Sequence, residues 1–229
     1  GNAMQDNGFY TVRFRFAKVR SAKYISHLDL SRLLARAIRR TDLPVWYTQG
    51  FNPHVYMGFS LPLPLGVESV CESVDLRFVE EIDENQALQT LNAVLPPDVQ
   101  LLGAYRTFSE PEAICYSTYL FELDVADGAF ATQKLQQALE ADRIPAEKKG
   151  KSGRRRVVRT VDLKPMIHSC KIEHTGTSVR MEAVLNAGPS KNLNPVLLLD
   201  TLLKLAELHF EWRSVKRLNL LKADLTEYI

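Results

Sequence analysis

Apolar and polar residues alternate from residue 10 to residue 16, which is the pattern of a half-buried β-strand. Val12, Phe14 and Phe16 fall on one face of this segment, and Arg13 and Arg15 fall on the other. We therefore predict a first strand that buries its apolar face in a core and turns a basic outer face to solvent.

A helix is predicted over residues 27–40, and it ends before Pro44 because a proline disfavours helical backbone at the residue before it. Ser26 is the expected N-cap, and Asp29 is its partner in a short version of the capping box. One side of this helix is apolar, and the opposite side is a stripe about 100° wide that holds four arginines. These arginines are Arg32, Arg36, Arg39 and Arg40.

The same periodicities predict the remaining elements. Strands are expected at 45–48, 56–61, 69–78, 99–107, 116–125, 157–162, 169–174, 179–185 and 211–220, and helices at 84–94, 129–141 and 195–208. The second half of the chain repeats the element order of the first. We therefore predict an α+β protein of two ferredoxin-like (βαββαβ-type) domains with antiparallel sheets, one at 9–108 and one at 116–229.

Composition and cysteine content narrow the class of protein. The chain has 229 residues, of which 45% are hydrophobic and 24% are charged, as in ordinary globular proteins. Cys71, Cys115 and Cys170 form no close pair in the sequence, so a disulfide scaffold is not expected. The expected location is the reducing cytoplasm. The longest apolar stretch, 196–206, contains Asp200 and Lys204, so no membrane segment is expected.

Charge is distributed unevenly along the chain, although its net value is only +2. Residues 9–66 and 148–164 each carry a surplus of seven positive charges, whereas 67–147 is strongly acidic. Two separate basic blocks could form one face that binds a polyanion. The alternative is that each block is only a solvated surface.

The densest basic segment is 148–156, predicted to be an extended loop because its like charges repel. Such a loop suits a nucleic acid backbone, since each cation that meets a phosphate releases counterions. A merely solvated loop is the alternative. Its six cations are Lys148, Lys149, Lys151, Arg154, Arg155 and Arg156.

Residues 49–54 form the most site-like segment of the sequence. Gln49, Phe51, Asn52 and His54 offer an amide, an aromatic ring, a second amide and an imidazole between two predicted strands. These groups can stack on a base and hydrogen-bond to its edge. The alternative is a tight turn that begins at Asn52, with Phe51 tucked inside.

Catalytic and metal signals are weak. His27 more simply serves the helix cap, although His27 and His54 could act as an acid–base pair on an RNA 2′-hydroxyl. The sequence contains no Cys-x-x-Cys, no metalloprotease His motif, no dinucleotide-binding motif and no P-loop. Neither a metal nor a cofactor is therefore expected in this chain.

Several short motifs occur together in the first 80 residues and carry a family resemblance. They are residues 13–18, 25–30, 36–40, 43–44, 47–54, 62–66 and 72–75. In this order they resemble the radical-SAM-linked family, whose members are free-standing or fused to the C-terminus of a cobalamin-binding radical SAM protein. The second half matches more loosely, mainly over residues 159–167, where the family usually has arginine in place of Lys164.

The resemblance implies a radical SAM protein as partner, present as a separate chain, and it suggests RNA as the partner's substrate. It also implies that His27, Asp29, Gln49, Asn52 and His54 are site residues, without assigning roles to them. The predicted element order further resembles that of RNA-processing endonucleases with doubled ferredoxin-like domains, which is an analogy of fold alone.

Three functions remain open. The first is a non-catalytic RNA-binding module that presents structured RNA to the radical SAM enzyme through the arginine stripe, the 49–54 turn and the 148–156 loop. The second is a protein adaptor that docks the same enzyme through its acidic segment 67–147 or its apolar helix 195–208. The third is a metal-independent endoribonuclease that uses His27 and His54.

Overall fold

The computed structural model describes residues 7–229. The chain divides into two compact units. Unit 1 extends to Ala113 and includes the last two residues, Tyr228 and Ile229, and unit 2 comprises Ile114–Glu227.

The described part of unit 1 contains four strands and two α-helices. In chain order they are β1 (Tyr10–Lys18), α1 (His27–Arg39), β2 (Gly58–Phe59), β3 (Glu68–Phe78), α2 (Glu84–Val94) and β4 (Val99–Tyr105). The strands lie in the spatial order β4-β1-β3-β2, and each neighbouring pair is antiparallel.

The core of unit 1 lies on the apolar face of β1. Val12, Phe14 and Phe16 are at most 1% exposed and pack with Leu34 and Leu91 from α1 and α2. Helix α1 begins as predicted, because the Ser26 hydroxyl accepts a hydrogen bond from the backbone N–H of Asp29.

Unit 2 contains six strands and two α-helices. They are β5 (Tyr116–Asp124), α3 (Gly128–Glu140), β6 (Pro145–Ser152), β7 (Arg155–Asp162), β8 (Ile167–Thr175), β9 (Ser178–Asn186), α4 (Pro195–Leu205) and β10 (Trp212–Leu221). Four strands lie in the order β10-β5-β9-β8, all antiparallel to their neighbours, while β6 and β7 form a separate two-stranded sheet.

The core of unit 2 is built from alternate residues of its two central strands. Tyr119 and Phe121 on β5 and Met181 on β9 are almost fully buried, as are Leu198 and Leu202 on α4. Helix α3 packs against β8 and β9, and α4 contacts α3 and β6.

The α+β class is confirmed by these elements. Most predicted bounds agree to within three residues, but two short strands of unit 1 are much reduced. Residues 45–48 supply only isolated bridges at Val45 and Tyr47, and 56–61 retains only β2. The prolines that flank these segments donate no backbone hydrogen bond, which prevents longer ladders.

The predicted loop at 148–156 is wrong in conformation. The segment is a β-hairpin in which Ser152 pairs with Arg155 across a two-residue turn. Gly153 has a φ of +63° at the first turn position, a conformation that glycine adopts without strain and that two-residue hairpins require. The backbone of the segment is extended, and the glycine turn allows its two halves to pair as strands.

The predicted basic outer face of β1 is also wrong at Arg13. Arg13 is 1% exposed. Other residues of unit 1 cover the face of β1 on which Arg13 lies. Its guanidinium binds both carboxylate oxygens of Asp75, at 2.7 and 3.0 Å, and donates to the backbone oxygen of Ser109 at 2.6 Å. Phe108 and Tyr228 stack on it.

Lys18 is a second buried cation of unit 1. Its ammonium donates a hydrogen bond to the backbone oxygen of Ile25, and burial lowers the pKa of the side chain while the charge of Glu72 acts to raise it. Two of the nine lysines and arginines in the basic block at 9–66 are therefore internal.

Within residues 7–229, no helix has the length and apolar character needed to cross a bilayer.

Candidate nucleic-acid interface

The β6–β7 hairpin, here called the ribbon, is fixed to unit 2 only at its base. Ala146 is 2% exposed, and the backbone of Leu163 donates to the Ile144 oxygen at 2.9 Å. The Asp162 carboxylate accepts hydrogen bonds from the backbone N–H groups of Ile144 and Lys164, which hold its pKa below the ordinary value. Beyond this base, almost every residue of the ribbon is exposed.

The cations of the ribbon have no counterions of their own. In the part of the chain that the structure describes, none of them forms an ion pair or a side-chain hydrogen bond. Lys151 lies directly opposite Arg156, and Lys148 lies directly opposite Arg159. Like charges in directly opposed positions destabilise a strand pair, so the ribbon folds against its own electrostatic repulsion.

The arginine stripe of α1 is present as predicted. Arg32, Arg36, Arg39 and Arg40 are all exposed, and an ion pair in solvent joins Arg32 to Asp29 at 3.5 Å. Arg36 and Arg40 border a groove of about 390 Å³ between α1 and α2. Its floor is apolar and consists of Leu33, Ala37, Ala93, Val94, Leu95 and Pro96.

The 49–54 turn is a closed loop with its aromatic ring outside. Thr48 and His54 are joined by a backbone hydrogen bond of 2.8 Å, and Tyr47 and Val55 form the bridge behind them. Phe51 is fully exposed, so the alternative that its ring is tucked inside is wrong.

Hydrogen bonds within the turn use one nitrogen of His54. Its Nδ1 lies 3.0 Å from the Asn52 backbone oxygen and 3.2 Å from the Thr48 hydroxyl. A carbonyl oxygen can only accept, so Nδ1 carries the proton in the neutral ring. Gln49 donates its side-chain amide to the Tyr47 oxygen at 3.0 Å. His54 and Gln49 therefore hold the turn that presents Phe51.

The ends of this turn are fixed by an aromatic box that the sequence pattern did not reveal. The Arg77 guanidinium lies 3.7 Å from the ring centre of Tyr56, 4.2 Å from that of Phe9 and 5.2 Å from that of Trp46. Such cation–π contacts stabilise a partly buried arginine. The sequence does show an aromatic residue on each side of the turn, Trp46 and Tyr56. It does not show that Arg77 lies between their rings.

The remaining site residues predicted from the sequence, His27 and Asp29, make contacts within unit 1. The His27 ring packs edge-on against Phe59 at 4.6 Å, and Asp29 lies in the first turn of α1. Among the described residues, no hydrogen bond joins His27 to His54. The structure thus collects the candidate residues into three clusters, of which the stripe and the turn belong to unit 1 and the ribbon belongs to unit 2.

Residues 7–229 contain no cluster of three or more His, Cys, Asp or Glu side chains with the geometry of a metal site. Cys71, Cys115 and Cys170 are free thiols. Burial raises the pKa of Cys170 to about 11, which makes this thiol a weak nucleophile near neutral pH.

The fold and these surfaces define an α+β protein with an exposed, unpaired cationic hairpin. A family comparison matches residues 11–195 to DUF2344, described as an uncharacterized protein conserved in bacteria. The match covers most of the chain, which therefore belongs to this family. The search of curated proteins finds no match.

Among solved structures, the chain is similar to one described as the crystal structure of a Cbf5-Nop10-Gar1 complex. The sequence identity is 12% and the TM-score is 0.44. The alignment covers 91% of this chain and 48% of the other, so the chain spans about half the length of that structure. A likeness of this degree carries no argument about function.

Proposed function

We propose that the protein is a non-catalytic RNA-binding module that presents structured RNA to a radical SAM enzyme. The observation that carries the proposal is the ribbon, an exposed hairpin whose cations form no ion pair with any residue that the structure describes. Bound RNA phosphates would relieve the repulsion between the opposed cations of the ribbon. The cations condensed on the RNA would be released into solution at the same time. A solvated surface without a ligand gives no reason for this arrangement.

The stripe and the turn supply the other parts of an RNA site. Four exposed arginines on a rigid helix suit phosphate contacts, which position an RNA without reading its sequence. The exposed ring of Phe51 suits stacking on an unpaired base. We assign backbone contacts to the stripe and the ribbon, and base contact to the turn.

An accessory role agrees better with the histidine geometry than a nuclease role does. The Nδ1 atom of His54 is used within its own turn, and the His27 ring lies against Phe59. An acid–base pair needs both rings within reach of one substrate proton and one leaving group. We therefore place catalysis in the partner enzyme, whose involvement rests on the motif resemblance.

The ferredoxin-like interpretation of both domains, with boundaries 9–108 and 116–229, belongs to the same proposal. Support comes from the strand orders β4-β1-β3-β2 and β10-β5-β9-β8, which are equivalent when each unit is numbered along its chain without the ribbon. In this interpretation the ribbon is an insertion after the first helix of the second domain.

The test is a titration of fluorescein-labelled, unfractionated bacterial transfer RNA with the full chain at several salt concentrations. Replacing the ribbon's six cations, Lys148, Lys149, Lys151, Arg154, Arg155 and Arg156, with glutamine should weaken binding by about 100-fold near 0.1 M salt. The slope of log affinity against log salt should fall by about 4 to 5, because each lost phosphate contact removes about 0.7 on a single strand and about 0.9 on a duplex.

The matched control removes six positive charges of unit 2 that lie outside the ribbon. They are Lys134, Lys171, Arg180, Lys191, Lys204 and Lys222. This variant should lose far less affinity than the ribbon variant, although both have the same net charge. Equal losses would reduce the effect to general electrostatics and contradict the proposal. Undetectable binding by the unaltered protein, with co-purification of the radical SAM enzyme, would favour the adaptor.

A further inference from the structure

The cations of the ribbon are divided between its two faces. Residues that lie directly opposite in an antiparallel pair share a face, and successive residues alternate between faces. The register therefore places Lys149, Lys151 and Arg156 on one face, here face A. It places Lys148, Arg155 and Arg159 on the other, here face B.

This division makes the ribbon unlike a flat basic surface. A surface that binds a single phosphate backbone needs cations on only the side that meets it. Here three cations stand on each side of a two-stranded sheet whose positions 148–152 span about 13 Å. Lys149, Lys151 and Arg156 of face A are exposed, as are Arg155 and Arg159 of face B. On face B only the base is covered, since Ala146 is buried and Lys148 is half-buried. The arrangement fits a site with phosphates on two sides.

The composition of the ribbon disfavours single-stranded RNA. Proteins that bind single strands combine a basic groove with aromatic side chains on which the bases stack. Residues 145–162 contain no Phe, Trp, Tyr or His. The residues near the tip are also small, with Gly150, Ser152 and Gly153 close to the turn. A narrow, cationic and non-aromatic tip is suited to enter a groove.

Resting on the proposed RNA-binding function, we infer that the ribbon inserts tip-first into the major groove of an RNA stem, with faces A and B against opposite phosphate backbones. A regular A-form major groove is deep and narrow. The ribbon therefore selects a stem in which a bulge or internal loop widens the groove. This inference names the class of RNA that the protein recognises.

The experiment uses three synthetic RNAs of equal length: a hairpin with a fully paired stem, a hairpin with a pyrimidine bulge in mid-stem, and an unstructured single strand. Fluorescence anisotropy measures the affinity of the full-length protein for each one. We expect the bulged hairpin to bind at least about tenfold more tightly than either of the others.

Two triple variants test the faces separately. The face A variant carries Lys149→Gln, Lys151→Gln and Arg156→Gln, and the face B variant carries Lys148→Gln, Arg155→Gln and Arg159→Gln. Each should lose the preference for the bulged hairpin, and the two losses should agree within about threefold, since both backbones must be held. A triple variant at Lys171, Lys191 and Lys204 has the same charge change and should keep the preference.

The outcomes separate this inference from the proposed function. RNA binding that depends on the ribbon but shows no preference for the bulged stem, or that depends on one face alone, overturns groove insertion and leaves RNA binding intact. Tighter binding to a DNA duplex of the same sequence also overturns it. Failure of the unaltered protein to bind all three RNAs overturns both. Circular dichroism spectra and melting curves establish that each variant is folded.

Discussion

Strands β1 and β7 both contain arginines among apolar residues, but the arginines of the two strands have opposite environments. In β1, Arg13 is 1% exposed and is held by Asp75, while in β7 the arginines at 155, 156 and 159 are exposed and form no ion pair within residues 7–229. Burial acts to lower the pKa of Arg13, but its hydrogen bond to Asp75 and the charge of that residue raise the pKa above its ordinary value. Arg13 therefore stays charged inside unit 1.

The difference arises from what lies across the sheet. Strand β1 has a neighbour on each side, and Asp75 of β3 is directly opposite Arg13. Strand β7 has only β6 beside it, and Lys151 lies directly opposite Arg156. An acidic partner makes an arginine an internal contact, and a basic partner leaves it available for an external anion. Charge counts along the chain do not distinguish the two cases.

The largest effect should follow from breaking the internal pair. Asp75→Ala leaves the buried Arg13 charge uncompensated, so we expect the free energy of unfolding to fall by about 3–5 kcal/mol. Denaturant titration measures this change. Glu173→Ala, which removes the exposed Lys171–Glu173 pair, is the control and should change stability by less than about 1 kcal/mol. Similar losses in both variants would contradict the assigned role of Arg13.

The arginine stripe should behave like the ribbon and unlike Arg13. Glutamine at Arg32, Arg36, Arg39 and Arg40 should weaken transfer RNA binding about 20-fold and lower the salt slope by about 3. Unfolding should be nearly unchanged because these side chains are exposed. Four exposed cations of unit 2, Lys171, Arg180, Lys191 and Lys204, provide the charge-matched control. An unchanged salt slope would remove the stripe from the interface.

Phe51 offers a test of base contact without charge. Phe51→Ala should weaken binding to RNA with unpaired bases about tenfold, in the range measured for one stacked base. The melting temperature should stay constant, since the ring is fully exposed. Phe51→Trp should restore binding, because a larger ring also stacks. A loss of stability together with affinity would indicate a packing role instead.

The smallest effect concerns the repulsion within the ribbon itself. Lys151→Glu would place a carboxylate opposite Arg156, so the hairpin should gain about 0.2–1 kcal/mol. Hydrogen exchange of the ribbon amides should slow by a few fold as a result, while RNA affinity falls. Lys151→Gln should have an intermediate effect on exchange. Faster exchange in the glutamate variant would contradict the cross-strand repulsion.

Local signals predicted α1 and its surface accurately. Ser26 and Asp29 set the start of the helix, and the spacing of the arginines placed all four on the exposed side. Helical periodicity depends only on neighbours within two turns, so a sequence contains the information. The exposed ring of Phe51 was different, because a turn can direct a side chain inward or outward with the same residues.

The sequence by itself determined the α+β class, most element bounds, the stripe and the density of charge at 148–156. Only the tertiary structure decided which cations are buried, since that depends on the residue across the sheet, as with Asp75 opposite Arg13. It also decided that the basic segment forms a hairpin whose register separates two faces. Strand register depends on which residue of the second strand lies opposite each residue of the first. The periodicity of one strand does not contain that information.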